Sequence, residues 1–289
     1  MGEVQNEEVK HAAVAVEFLL CSMYYTNRVF DEKGGEEILS QTNNQVIASM
    51  ITRELSSKAF QYAYRNVGEE NISKFNNLLG EVNYKFYIGE FMDINCNIYK
   101  PGQNQNWQDM ISAYYKRSYL IDGVFYEKIA LIGALLGRGS EAQISNLCNF
   151  SKYYAIMMQI INDISDFVPT NDNLGTETKV PVDAYSDIKH QKLTLPILWA
   201  LINGSNQDKY LLFSVLEKDK IDIETMLKVT ISLTSNGAIY FAKDAARQYA
   251  RKAKEALGSL PSLKVDLLKN LCFMAYTNRY YKALQKYKK

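Results

Sequence analysis

The residues best suited to chemistry lie on one segment, Tyr153 to Phe167, where four oxygen-bearing side chains follow a helical spacing. Gln159, Asn162, Asp163 and Asp166 stand at positions i, i+3, i+4 and i+7, which places them in one stripe along a helix. Clustered carboxylate and amide oxygens suit a hard cation such as magnesium that bridges a phosphate. An amphipathic helix that shows its polar side to water has the same pattern, so the stripe alone leaves both interpretations open.

The sequence that follows favours the cation site. Lys179 lies in a stretch rich in asparagine, aspartate and glycine, and SDIKHQKLTLPILWAL then runs from Ser186 to Leu201. Together the two segments resemble the trans-isoprenyl diphosphate synthases, whose second aspartate-rich motif, Q-x-x-D-D-x-x-D, precedes a segment close to S-D-L-R-E-G-K-L-T-L-P. Here Ser186, Asp187 and the run from Lys192 to Pro196 match that segment in register.

The resemblance extends over nearly the whole chain. Gly89, Glu90 and Asp93 fall where the family has G-Q-x-x-D, and two further segments, Gly133 to Gln143 and Gly237 to Leu257, resemble other helices of the family. This resemblance implies an all-α isoprenoid-synthase fold, an antiparallel helical bundle with a central apolar cavity. It also implies Mg²⁺ as the cofactor, a prenyl diphosphate as the substrate, and a homodimer or a heterodimer with a homologue.

The resemblance also implies a role for residues of these segments. Metal binding falls to Asn162, Asp163 and Asp166, and orientation of the site to Gln159. Diphosphate binding falls to Lys179 and Lys192, and stabilisation of the allylic cation to Thr194. Cleavage of the carbon–oxygen bond of an allylic diphosphate leaves negative charge on the departing group and an allylic cation behind. Such a site needs cations at one end and an unreactive apolar wall at the other.

The first aspartate-rich motif of the family, D-D-x-x-D, is degraded here. The aligned residues read N-R-V-F-D, so Asp31 keeps its carboxylate while Asn27 and Arg28 replace the first two aspartates. In one interpretation Asn27 and Asp31 hold one magnesium ion and Arg28 contacts the diphosphate directly. In the other, this is a helix end without a ligand role. Tyr24 and Tyr25 lie where the family sets the depth of its cavity, although core packing explains them more simply.

Features that bind a second substrate, isopentenyl diphosphate, in the family are not visible in this sequence. Neither the upstream G-K-R segment nor the arginine pair after the first motif is present. Ile121, Asp122 and Gly123 occupy the position of the family's central K-T-x. Lys116 and Arg117 lie about one helical turn earlier, where they can substitute.

Composition and periodicity favour helices that hold these residues in place. The chain has 289 residues, 47% of them hydrophobic, with only 5 prolines and 15 glycines. Breaks such as Val67 to Glu70, Asn203 to Gln207 and Lys218 to Asp222 separate stretches with helical periodicity. Because no repeat or linker is visible, we expect residues 1–289 to form a single isoprenoid synthase-like domain. Since the degraded motif comes so early, we expect this domain to lack the family's amino-terminal helix or helices.

Charge and cysteine usage exclude several other classes of protein. Lys+Arg 33 against Asp+Glu 32 leaves a net charge of +1, which gives no reason to expect a nucleic-acid partner. No uncharged run approaches the roughly 18 apolar residues that a membrane span needs. The 4 cysteines are scattered and lack the spacing of a zinc site. We therefore expect a cytoplasmic protein without an integral membrane segment.

Three functions remain open on the sequence. The first is an enzyme that ionises an allylic prenyl diphosphate and transfers the prenyl group. The second is a terpene cyclase or lyase on the same scaffold, which has no need of the isopentenyl site. The third is a non-catalytic subunit that pairs with an active homologue. We favour the two enzyme readings, because an inactive chain has little reason to keep Gln159, Asp163, Asp166, Lys192 and Thr194 in register.

Overall fold

The computed structural model describes residues 7–30, 45–95, 106–167, 185–218, 221–258, 260 and 265–272. Nearly all of them are helical, which confirms the all-α class. In chain order the α-helices are α1 (Glu7–Phe30), α2 (Gln45–Asn66), α3 (Glu69–Asn95), α4 (Trp107–Ser118), α5 (Val124–Leu136), α6 (Glu141–Phe167), α7 (Ser186–Lys189), α8 (Leu195–Asn203), α9 (Asn206–Leu216), α10 (Ile223–Ser235) and α11 (Ala238–Ala256). A π-helical turn, Tyr119–Gly123, joins α4 to α5, and residues 265–272 form a further helical segment. Within these ranges, none of the helices combines the length and the apolar composition that a membrane crossing requires.

Helix boundaries follow local capping chemistry. Ser205 and Asp208 form a capping box at the start of α9: the Ser205 hydroxyl accepts from the Asp208 N–H, and the Asp208 carboxylate accepts from the Ser205 N–H. The Asp222 side chain caps α10 by accepting from the Thr225 N–H at 2.8 Å. These caps confirm two of the breaks expected from the sequence.

Two large apolar cores, and a smaller cluster around Phe150, Ala253 and Leu257, hold the described helices together. One large core joins α1, α2, α3 and α5, and the other joins α6 to α11 with Tyr114 of α4. Helix α6 packs against α5 and also against α11, so it contacts members of both cores. The polar stripe of α6 therefore lies where the two cores meet.

The π-helical turn brings α3 close to the middle of the bundle. Its defining hydrogen bond runs from the Val124 N–H to the Tyr119 carbonyl, five residues earlier. A Cβ atom at Gly89 of α3 would lie 2.7 Å from Cγ1 of Ile121 and 2.9 Å from its backbone nitrogen. Because only glycine fits this approach, Gly89 allows Asp93, one turn further along α3, to reach the residues around the π turn.

Candidate active site

A cavity of about 280 Å³ is bordered by helices of both cores. The side chains that line it are Leu20, Met23, Tyr24 and Asn27 of α1, Phe86 of α3, Arg117 of α4, Ile121 and Asp122 of the π turn, Phe125 and Tyr126 of α5, Gln159, Asn162 and Asp163 of α6, Asp187 of α7, and Lys192 and Thr194 ahead of α8. Its volume is close to the lower end of the range usual for small-molecule sites. Polar as well as apolar side chains line it.

The α6 stripe supplies three of the expected residues. Gln159, Asn162 and Asp163 all line the cavity. The Asp163 carboxylate is buried and accepts two hydrogen bonds, from Gln159 Nε2 at 2.7 Å and from the Tyr114 hydroxyl at 2.6 Å. These bonds fix the orientation of the carboxylate, because each oxygen has one donor.

Burial changes the protonation behaviour of the Asp163 carboxyl and of its donor Tyr114. Burial raises the pKa of Asp163, although the Arg117 guanidinium opposes the rise. Burial also raises the pKa of Tyr114 well above its ordinary value, so the tyrosine stays protonated and remains a donor. A cation bound at the Asp163 carboxylate would favour its ionised form.

Asp166, the fourth residue of the stripe, is not among the residues that line the cavity. Its carboxylate accepts from the backbone N–H of Ser186 at 2.9 Å and of Asp187 at 3.2 Å. These bonds fasten the start of α7 to the end of α6. The bonds therefore help to position Asp187, which does line the cavity.

Lys192 and Arg117 meet at a shared carboxylate. Asp93 of α3 lies 2.5 Å from the Lys192 ammonium and 2.8 Å from the Arg117 guanidinium, and all three side chains are buried. Burial disfavours the charge on Arg117, but the carboxylates of Asp93 and Asp163 hold the pKa of its guanidinium above the ordinary value. Two cations are thus held beside the cavity in fixed positions.

Among the described residues, the degraded first motif contributes fewer side chains to the cavity lining than the α6 stripe does. Asn27 lines the cavity, and its amide donates to Oε1 of Glu90 at 3.2 Å. Arg28 is not among the lining residues; its guanidinium donates to the Tyr24 hydroxyl at 3.0 Å. Asp31 and Lys179 lie outside the residues that the structure describes.

Thr194 and Asp122 present oxygen atoms to the cavity. Thr194 is the N-cap residue of α8 and is buried, and its hydroxyl finds no hydrogen-bond partner among the described residues. Asp122 lies on the π turn, where burial raises the pKa of its carboxyl to about 6. In the sequence, Asp122 occupies the K-T-x position, which predicts no role for it, and no local pattern predicts a role for Asp93 or Tyr114.

The donor set is compatible with magnesium. In the described part of the chain, no three acidic, histidine or cysteine side chains cluster closely enough to hold a metal ion by themselves. Magnesium sites that also use phosphate oxygens need only one or two carboxylates. Two cationic side chains and three carboxylates line the cavity, a balance that disfavours an anionic ligand unless divalent cations accompany it. Asp163 with Asn162 therefore fits such an ion.

Comparison with known proteins decides the family. A family model described as polyprenyl synthetase matches residues 34–232, more than half of the chain. The chain belongs to the polyprenyl synthetase family. The match covers the α6 stripe and the Lys192 segment, while the cavity-lining residues of α1 lie before its first residue.

Similar proteins agree with this placement in the polyprenyl synthetase family. A short chain isoprenyl diphosphate synthase of Methanothermobacter thermautotrophicus is 26% identical over 249 residues, 85% of this chain and 72% of that relative. A heptaprenyl diphosphate synthase component 2 of Bacillus subtilis is 23% identical and covers 90% of this chain and 70% of its own. The fold is that of the polyprenyl synthase of Caulobacter crescentus, solved with calcium and isoprenyl diphosphate: TM-score 0.80, 18% identity, 96% of this chain and 80% of that one.

Proposed function

We propose that this protein ionises an allylic prenyl diphosphate with the help of Mg²⁺ and transfers the prenyl group to a second prenyl substrate. One observation carries the proposal: Asp163, Lys192 and Thr194, which are far apart in sequence, line one cavity together with Phe86 and Phe125. The same space thus offers charged groups for a diphosphate and an apolar surface for a prenyl chain.

The charged groups bind and orient the diphosphate. Lys192 and Arg117 donate to its oxygens, and Asp93 holds both cations in place between turnovers. Asn162 and Asp163 would hold magnesium beside them, with Gln159 and Tyr114 fixing the carboxylate. The metal, when bound, neutralises charge that develops on the departing diphosphate.

The apolar side of the cavity protects the carbocation. Phe86 and Phe125 are buried aromatic side chains that exclude water and carry no nucleophile. The Thr194 hydroxyl, with no partner among the described residues, is able to turn an oxygen lone pair toward the cation. These features favour prenyl transfer over hydrolysis.

A second candidate is a partner subunit without turnover of its own. Arg28 bonds to Tyr24 rather than lining the cavity, and Asn27 brings no carboxylate to the first motif. The similar protein of Bacillus subtilis is named as one component of a synthase. A homodimer remains our first proposal for the assembly, and a heterodimer with a homologue is the alternative.

Product analysis separates these functions. The purified protein is incubated with magnesium and farnesyl or geranylgeranyl diphosphate, with and without isopentenyl diphosphate. We expect a longer prenyl diphosphate when isopentenyl diphosphate is present. A hydrocarbon or alcohol in both mixtures would indicate cyclase or lyase chemistry instead, and no turnover in either would indicate a partner subunit.

A further inference from the structure

Asp122 differs from the other carboxylates at the cavity. Asp163 accepts hydrogen bonds from Gln159 and Tyr114, and Asp93 pairs with two buried cations. The Asp122 carboxyl lines the same cavity, yet no hydrogen bond or ion pair joins it to any residue that the structure describes. The Asp122 carboxyl therefore borders the cavity without a protein partner among the described residues.

The surroundings of Asp122 make its carboxylate more basic than usual. Ile121, Phe125 and Tyr126 line the cavity next to it. Burial raises the pKa of the Asp122 carboxyl, and the Arg117 guanidinium offsets the rise only in part. The group is mostly ionised at neutral pH but holds a proton more firmly than an exposed aspartate, as a general base must.

The π turn sets the relation between Asp122 and the diphosphate-binding end. Arg117 and Asp122 are five residues apart, and in a regular α-helix such residues point to different faces. The widened turn from Tyr119 to Gly123 brings both into the lining of one cavity. A substrate whose diphosphate lies at Arg117 therefore has its reacting carbons within the same space as the Asp122 carboxylate.

We propose that Asp122 accepts a proton from the allylic carbocation, so that the protein converts an allylic prenyl diphosphate into a conjugated polyene by elimination. This inference rests on the proposed ionisation of the diphosphate. The carbon–oxygen bond breaks and its electron pair leaves with the diphosphate. A carbon–hydrogen bond next to the cation then supplies the electrons of the new double bond, and its proton passes to the Asp122 carboxylate and on to solvent.

Elimination accounts for the largest share of the product when no second prenyl substrate is present to capture the cation. With that substrate absent, the cation has two fates in the cavity: loss of a proton to Asp122 or capture by water. Loss of the proton gives a polyene hydrocarbon, and capture by water gives an alcohol. The ratio of the two products therefore reports on the base independently of the rate of ionisation.

The test compares the wild type with Asp122→Asn and Asp122→Glu, using geranylgeranyl diphosphate and magnesium without isopentenyl diphosphate. Released inorganic diphosphate measures ionisation, and gas chromatography measures polyene and alcohol. We expect the polyene-to-alcohol ratio to fall by a factor on the order of 10² in Asp122→Asn, the usual contribution of a general base. Asp122→Glu keeps a carboxylate, so we expect it to form a larger share of polyene than Asp122→Asn does. Asp109→Asn, at an exposed residue of α4, is the matched control and leaves the ratio unchanged.

Each other outcome overturns the inference. Diphosphate release by the wild type without any polyene would contradict it while leaving the ionisation intact. An unchanged ratio in Asp122→Asn would show that another group takes the proton. If the wild type releases no diphosphate at all, the proposed function fails and the elimination fails with it.

Discussion

The ammonium group of Lys192 lies 2.5 Å from Oδ2 of Asp93, on a helix far away in the sequence, and both side chains are buried. The other oxygen of Asp93 pairs with Arg117. This relationship links α3, α4 and the segment before α8 through one carboxylate. It also keeps two cations beside the cavity without leaving either one uncompensated in the interior.

Replacement of Asp93 should therefore destabilise the protein. Asp93→Asn keeps the shape of the side chain but removes the carboxylate that pairs with both Lys192 and Arg117 in the interior. We expect the free energy of unfolding, measured by urea denaturation, to fall by about 3 kcal/mol. Asp109→Asn, which removes an exposed carboxylate from α4, should change it little. A loss of less than about 1 kcal/mol in Asp93→Asn would show that water or a nearby group compensates the two cations.

Replacement of Asp163 should abolish turnover with little effect on the bundle outside the site. Asp163→Ala removes the only carboxylate of α6 that lines the cavity among the described residues. We expect release of diphosphate to slow by a factor on the order of 10³, because charge on the departing group loses its stabilisation. Diphosphate release is measured by a coupled assay, with circular dichroism to check the fold. Activity retained in Asp163→Ala would refute the site.

The Asp122 carboxyl should make stability depend on pH in a defined window. Its pKa is about 6 in the folded protein against an ordinary value of 3.8, so folding disfavours the ionised form. The destabilisation is absent below about pH 4, grows as pH rises and is complete above pH 6, where it reaches at most about 3 kcal/mol. We therefore expect Asp122→Asn to unfold at a higher temperature than the wild type at pH 7 and at the same temperature at pH 4. Equal melting temperatures at both values would mean that the carboxyl is well solvated.

Tyr24 should limit the length of the prenyl chain. Its side chain lines the cavity but is 53% exposed, so truncation costs little core packing. We expect Tyr24→Ala to accept allylic diphosphates at least one isoprene unit longer than the wild type, measured by competition between substrates of different length. Tyr25→Ala is the matched control, because Tyr25 is not among the lining residues. If both variants accept equally longer substrates, the change reflects loosening of α1 and not the depth of the cavity at Tyr24.

Much of the site was predictable from the sequence because helical spacing and a matched segment fix local geometry. Gln159, Asn162 and Asp163 lie on one face at i, i+3 and i+4, and Lys192 stands in a run that matches the family in register. Asp166 continues the same stripe, yet its carboxylate caps the start of α7. The spacing could not show this, because the return of the chain to the end of α6 is a tertiary contact.

The remaining features depend on contacts that local sequence patterns do not encode. Helical periodicity predicted an all-helical chain, but not the division into two cores with a cavity between them. The π turn at Tyr119–Gly123 changes which side chains face the cavity, and an ordinary helical wheel would not group Arg117 with Asp122. Asp93 matched a family position in the sequence, but its pairing with both Lys192 and Arg117 required the three-dimensional fold.

Binding of an unreactive substrate analogue tests the central claim most directly, because it does not depend on turnover. Calorimetric titration with a prenyl thiolodiphosphate measures affinity in the presence and absence of magnesium. We predict magnesium-dependent binding by the wild type, weakened at least about 100-fold in Lys192→Gln and in Asp163→Ala. Equal affinity with and without magnesium, or undiminished binding in both variants, would contradict the assignment of this cavity as a prenyl diphosphate site.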